Sequence, residues 1–261
     1  MELQYGMSTM LELMNICENA TLCNKLGLEF IEINMNLPQY QTDSFPIREC
    51  LALMDMGGIY FTIHLDENLN VCDFNKAVSS AYLDTVMRTI EIAQYISAPI
   101  INMHIADGVH FKLPNEKVYL FEQYRDLYLE TQFQFRNACE QAIGSDAITI
   151  CVENCGAFQP FQEAGIELLL ESPALGLTYD IGHDHAVQNA NREFYLAHAN
   201  KLKHMHIHDA NENTCHMVLG SGEVDIRQAL QMARQNNARC VLETKTVAGL
   251  CESIAFIRDE L

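Results

Sequence analysis

The nine residues Leu202–Ala210 read Leu-Lys-His-Met-His-Ile-His-Asp-Ala, so His204, His206 and His208 alternate with Met205 and Ile207. In an extended strand, alternate residues face the same side. This stretch therefore places three imidazoles on one face and apolar side chains on the other. A surface hairpin satisfies the pattern with its imidazoles in water. A barrel strand satisfies it with the apolar face under helices and the polar face lining the mouth. The choice between them turns on whether other strands repeat the pattern.

Several do. Apolar alternation predicts strands at Leu3–Ser8, Glu29–Met35, Ile59–Leu65, Pro99–Ile105, Ala147–Asn154, Gly176–Ile181, Lys203–Asp209 and Arg239–Thr244. Helical spacing predicts helices at Thr9–Leu26, Phe45–Met56, Asn75–Ser97, Leu120–Ile143, Gln162–Glu171, Arg192–Asn200, Ile226–Asn236 and Ala248–Leu261. Strands alternating with helices argue for parallel pairing, and a count of eight points to a closed sheet. The expected fold is α/β, a (β/α)8 TIM barrel, as one domain over residues 1–261. A doubly wound open sheet is the alternative. No Gly-rich GxGxxG turn follows the first strand, which speaks against a dinucleotide site and an organic cofactor.

The formal net charge of −19 bears on partners. Such a surface repels phosphate backbones and anionic membranes, and no Lys/Arg cluster relieves it. A small-molecule substrate is therefore expected rather than nucleic acid. No apolar run reaches the roughly 18 residues of a membrane span. The first residues lack a basic segment followed by an apolar one, so a cytoplasmic location is the expectation. The ten cysteines form no paired CxxC, which suits reduced, mostly buried thiols. A homo-oligomer is left open.

Polar residues near the ends of the predicted strands are Glu32, His64, His104, Glu153, Asp180, His206 and Glu243. Active sites of such barrels lie at the C-terminal strand ends. Charged groups aimed together into a desolvated mouth are costly unless a cation or hydrogen bonds compensate. Carboxylates mixed with imidazoles are what a divalent metal requires. Taken singly, each residue has a plain structural reading: an inward His as a hydrogen-bonded core group, a strand-end Glu as a salt-bridge partner. Convergence from separate strands is what favours metal. The Gly220-Ser221-Gly222 turn fits an anion cradle or an ordinary loop turn. Asp209 reads as a cap or loop hydrogen-bonding group. Lys245 fits either a substrate phosphate or neutralisation of an acidic rim.

The same residues carry a family resemblance. Ile63-His64-Leu65, Met103-His104, Val152-Glu153-Asn154-Cys155-Gly156, Tyr179-Asp180-Ile181-Gly182-His183, Met205-His206-Ile207-His208-Asp209-Ala210, His216 before Leu219-Gly220-Ser221-Gly222, and Leu242-Glu243-Thr244 resemble the xylose isomerase-like TIM-barrel superfamily. That superfamily holds sugar isomerases and epimerases and also endonuclease IV. The resemblance implies one Mn²⁺, Mg²⁺, Co²⁺ or Zn²⁺ held by Glu153, Asp180, His206 and Glu243. Three carboxylates and one imidazole favour Mn²⁺ or Mg²⁺. It implies a function as a divalent-metal-dependent isomerase or epimerase of a small sugar or sugar phosphate, through a metal-stabilised enediolate.

Glu153 and Glu243 are then the expected acid/base pair. His183, His208, His64, His104, His216 and Glu32 are the expected substrate-binding residues. The resemblance to endonuclease IV implies instead a metal-dependent hydrolase or lyase, an abasic-site nuclease or a dehydratase, with His64 and His104 joining Glu153 around a second metal. That enzyme's third site uses an Asp where this chain has Thr214. The ketose 3-epimerases carry an Arg where this chain has Glu212. A barrel whose metal site serves binding alone is a third alternative.

Overall fold

The computed structural model describes residues 3–260. The predicted helix position Leu261 and the opening residues Met1 and Glu2 lie outside them. Eight parallel strands close on themselves: β1 (Tyr5–Ser8), β2 (Phe30–Asn34), β3 (Tyr60–His64), β4 (Ile100–His104), β5 (Thr149–Glu153), β6 (Leu175–Asp180), β7 (Leu202–Ile207) and β8 (Arg239–Leu242). Closure is made at β1, where Gly6 pairs with Phe30 on one side and Val241 on the other. The fold is the expected TIM barrel.

Alternation divides each strand between two environments. Met7, Ile31, Ile33, Phe61, Ile63, Ile101, Met103, Val152, Leu177, Met205 and Ile207 face outward into one continuous apolar layer under the helices. Each such side chain contributes roughly 1.5–3 kcal/mol when fully buried. The inward face is filled by aromatic groups at its lower end. There the Phe30 ring stacks on Tyr60 with centroids 5.1 Å apart, and the Arg239 Nε donates to the Tyr60 hydroxyl at 3.0 Å. A Cβ added to Gly6 would lie 2.5 Å from the Phe30 ring, so only glycine lets the ring fill the barrel there.

The outer layer carries α1 (Ile16–Leu26), α2 (Ile47–Gly57), α3 (Lys76–Tyr95), α4 (Arg125–Ile143), α5 (Pro160–Leu170), α6 (Arg192–Ala197), α7 (Ile226–Asn236) and α8 (Val247–Glu260). Three boundaries differ from expectation for identifiable reasons. The first helix starts at Ile16 rather than Thr9, because the Asn15 side chain accepts from the Glu18 amide and caps it there. The helix expected from Leu120 breaks at Tyr124, whose φ of −117° and ψ of 43° are not helical. The Arg192–Asn200 helix ends at Ala197 and gives way to a 3₁₀ turn at Ala199–Lys201. Three short elements at the mouth went unpredicted: a helix at Ile181–Ala186 and two hairpins, 110–119 and 209–217. Each is too short for periodicity to register. Among the described residues, no helix is long and apolar enough to cross a membrane.

Candidate metal centre

Glu153, Asp180 and His206 stand at the C-terminal ends of β5, β6 and β7, and Glu243 follows β8 directly. Their apolar neighbours Val152, Ile181, Ile207 and Leu242 enter the outer layer, which fixes the polar side chains inward. Glu153, Asp180, His206 and Glu243 each bring one donor atom within 4.8 Å of the others. The His206 Nδ1 lies 2.9 Å from Glu153 Oε1, 3.1 Å from Glu243 Oε2 and 3.9 Å from Asp180 Oδ2. These oxygens crowd the nitrogen without lying along a ring N–H, and among the described residues His206 Nδ1, His206 Nε2 and Glu243 Oε2 are buried with no aligned hydrogen-bond partner.

Burial alone would raise the carboxyls, but the His206 charge beside them outweighs it and holds Glu153 and Glu243 well below the usual range. Burial likewise lowers His206, and the surrounding carboxylates overcome it and push the imidazole well above its ordinary value. In the metal-free chain this proton stands where a cation would otherwise balance three buried carboxylates. Orphaned donor atoms, four converging ligands and a three-carboxylate, one-imidazole set fit a hard or borderline divalent cation.

The layer beneath the four residues was only partly anticipated. Glu32 was expected near the rim and in contact with substrate. It is instead 1% exposed and lies below His206, because its strand pairs it with Thr62 one rung down from Asn34 and His64. Its two oxygens meet His206 Nε2 at 2.8 Å and His204 Nε2 at 2.7 Å. The two imidazoles hold its carboxyl far below the usual range against the effect of burial. His204 shares the alternation of its strand, and its period-two offset from His206 places it on the same face one rung down. Asn102, in phase with His104 in the sequence, donates to Glu153 Oε2.

Around the mouth the remaining histidines form two groups. His64 Nε2 and His104 Nε2 each lie 3.3 Å from Glu153 Oε2, and His64 Nδ1 bonds the Leu65 carbonyl at 2.7 Å. His183, His208 and His216 form the second group. His208 was expected to orient substrate, but it is fully buried and both its nitrogens are engaged. Its Nδ1 accepts from the His216 amide at 2.9 Å, and its Nε2 lies 3.0 Å from Asp180 Oδ1. A Cβ on Gly182 would sit 2.0 Å from the His208 ring, which explains the glycine between Asp180 and His183. His183 and His216 keep side-chain exposures of 21% and 18% and face the opening.

Asp209 is a loop clamp. It is 1% exposed, and its carboxylate accepts from the amides of Ala210, Gly220, Gly222 and Val224 at 2.8–3.0 Å. Lys245 Nζ lies 2.9 Å from Glu243 Oε1. The Cys151 thiol is fully buried and pushed by burial up to about 12, which suits packing and not nucleophilic attack.

Two cavities flank the carboxylates. One of about 380 Å³ is lined by Glu67, His104, Asp107, Tyr119 and Gln162, and the other, of about 260 Å³, by Asn34, Glu67, Glu243 and Lys245. A third cavity of about 390 Å³ lies between α6 and α7. Glu243 forms part of the wall of the second cavity, and His104, which lies against Glu153, part of the wall of the first.

The fold and these side chains define a member of the xylose isomerase-like TIM barrel family, and the chain belongs to it by a sequence match over residues 20–260. More particularly, it is similar to an uncharacterized protein of Methanocaldococcus jannaschii, 27% identical over 199 residues, which cover 74% of this chain and 73% of that one. Among solved structures it is similar to a D-tagatose 3-epimerase-like protein, with a TM-score of 0.80 at 18% identity, covering 98% of this chain and 96% of that one. It is also similar to the 3-keto-D-glucoside 4-epimerase of E. coli, with a TM-score of 0.79 at 17% identity, covering 98% and 99%. At these identities the structural likeness establishes the barrel.

Proposed function

We propose that this protein is a divalent-cation-dependent isomerase or epimerase of a small sugar, acting by proton transfer beside a carbonyl. The observation that carries the reading is the meeting of Glu153 and Glu243, from β5 and β8, on one nitrogen of His206. Family membership and the sugar epimerases among its structural neighbours support the same class.

Glu153, Asp180, His206 and Glu243 would hold the cation, with Mn²⁺ or Mg²⁺ favoured by the donor set. When bound, the cation supplies polarisation of a substrate carbonyl and so acidifies the neighbouring C–H. Glu153 and Glu243 flank the substrate carbon. One carboxylate takes the proton and the other, carrying a proton, returns it. Return to the same carbon from the other face gives epimerisation, and return to the neighbouring carbon gives aldose–ketose isomerisation. His183 and His216 orient hydroxyls from the rim. Glu32 positions His206 from below, and His208 positions Asp180.

The test is solvent-deuterium uptake into a panel of hydroxy-carbonyl sugars, with protein loaded in turn with Mn²⁺, Mg²⁺, Co²⁺ and Zn²⁺. Deuterium is expected at the carbon beside the carbonyl of at least one sugar. Absence of uptake across the whole panel would remove the reading.

One observation favours a second reading. His64 and His104 converge on Glu153 Oε2 while Glu153 Oε1 faces the four-residue set, an arrangement suited to a bridged pair of ions. That pair would favour a hydrolase or lyase. Two ions per chain by elemental analysis, with nicking of an abasic oligonucleotide, would move the assignment there. The net charge of −19 weighs against a polynucleotide substrate.

A further inference from the structure

In barrels of this type a phosphate is commonly bound by the loops after the seventh and eighth strands and by a helix N-terminus beside them. Free backbone amides there do the binding. In this chain the amides of Gly220, Gly222, Val224, Gln228 and Val247 are already taken by its own carboxylates. The loop after β7 offers a Gly220-Ser221-Gly222 turn of the right composition. Asp209 fills it, accepting from Gly220 at 2.9 Å, Gly222 at 2.8 Å and Val224 at 3.0 Å. The fit is close: a Cβ on Gly222 would lie 2.4 Å from Asp209 Oδ1. The Ser221 hydroxyl is turned away onto the Val218 carbonyl. At the start of α7, the Asp225 side chain accepts from the Gln228 amide at 2.9 Å. At the start of α8, Glu12 accepts from the Val247 amide.

Side-chain charge points the same way. Among the described residues lining the two cavities that flank the site, Lys245 is the one Lys or Arg, and Glu243 holds it at 2.9 Å. Glu67, Asp107 and Glu243 line the same cavities. Lys117 stands on the exposed hairpin beside the larger cavity, with its Nζ at 2.6 Å from the Tyr119 hydroxyl. A divalent cation does not invert the sign of the site, since its two positive charges would face the three carboxylates of Glu153, Asp180 and Glu243.

We infer that the substrate is an uncharged hydroxy-carbonyl sugar without a phosphate group, because Asp209 fills the turn that would receive a phosphate and Asp225 and Glu12 each occupy an amide at the two neighbouring helix starts. This inference rests on the isomerase/epimerase reading and narrows it to one substrate class. The internal carboxylates act as built-in counter-anions. They rigidify the loops after β7 and β8 and at the same time reject a phosphorylated sugar.

The experiment pairs each free sugar of the exchange panel with its own terminal phosphate ester and compares solvent-deuterium uptake by the metal-loaded protein. The expected result is uptake at least tenfold faster for the free member of the reactive pair. Uptake confined to the ester, or faster with it, would overturn the inference while leaving the isomerase/epimerase reading in place. No uptake with either member would remove that reading, and a second measurement then decides the inference by itself. Inorganic phosphate is titrated into the full chain after treatment with EDTA, with melting temperature as the readout. No saturable stabilisation is expected at millimolar phosphate. Saturable stabilisation that disappears in Lys245→Ala would show a working phosphate site and overturn the inference.

Discussion

Glu32→Gln is the sharpest test of how the barrel interior supports the site. Glu32 touches no cavity wall and is 1% exposed, so its replacement changes no group at the mouth. In the native chain, Glu32 Oε2 bonds His204 Nε2 at 2.7 Å, and Glu32 Oε1 lies 2.8 Å from His206 Nε2 as an ion pair. A glutamine offers one accepting oxygen and one donating amide. One of the two histidines must then hold its proton on Nδ1. For His206 that nitrogen is the one facing Glu153 and Glu243, and protonated it ligates no metal.

His204 Nδ1 has no hydrogen-bond partner among the described residues, so moving the proton there instead strands a buried donor. Both outcomes are unfavourable. A charge-assisted hydrogen bond is worth about 1.5–3 kcal/mol, which corresponds to roughly 10–100-fold in affinity. Calorimetric titration of Mn²⁺ into EDTA-stripped native protein and the variant measures it, with far-UV circular dichroism confirming the fold. A folded Glu32→Gln variant that binds Mn²⁺ as tightly as the native chain would refute the reasoning.

Other expectations follow from the same geometry. Glu153→Gln should lower deuterium exchange by about 10²–10⁴-fold with the melting curve intact; retained turnover would remove Glu153 from the mechanism. Gly182→Ala places a methyl 2.0 Å from the His208 ring and should cost about 1–3 kcal/mol. That shift is read as a lowered melting temperature and should be relieved in Gly182→Ala/His208→Ala.

In the metal-free protein, burial lowers His64 and His183, but neighbouring carboxylates raise each to about 9. Their pairing thus stabilises fully below the unfolded value of about 6.5 and is lost as pH rises through about 9. The melting temperature after EDTA treatment should therefore fall across that window; a rise would contradict the assignment. A cation held by the proposed set would expel the His206 proton, so calorimetric enthalpies should vary with the ionisation enthalpy of the buffer.

Alternation by two made the barrel readable before any coordinates. Residues such as Met205 and Ile207, set between His204, His206 and His208, have one interpretation once seven other segments share the pattern. The convergence of Glu153, Asp180, His206 and Glu243 was readable for the same reason, since strand ends meet at one face of a closed sheet. Depth was harder to read. Glu32, His204 and His206 look alike as strand residues, and only the stagger of the closed barrel shows that Glu32 and His204 lie a rung below the opening. Orientation of ring nitrogens was also hidden, so His208 looked like a substrate group until its two partners were seen. The Gly-Ser-Gly turn could be assigned only when its occupant, Asp209, was located 11 residues upstream of Gly220. The hairpins at 110–119 and 209–217 were missed because their pairing is local and their strands are three or four residues long.

The hairpin at 110–119 contributes none of the donor atoms gathered around His206. It stands over the larger mouth cavity through Tyr119 and leaves Phe111 and Leu113 half exposed. The stretch that stands over the cavity and the stretches that gather the buried carboxylates are thereby separate parts of the polypeptide. A graft that replaces this flap would reshape the cavity's entrance while Glu153, Asp180, His206 and Glu243, anchored to strands and propped from underneath, keep their places.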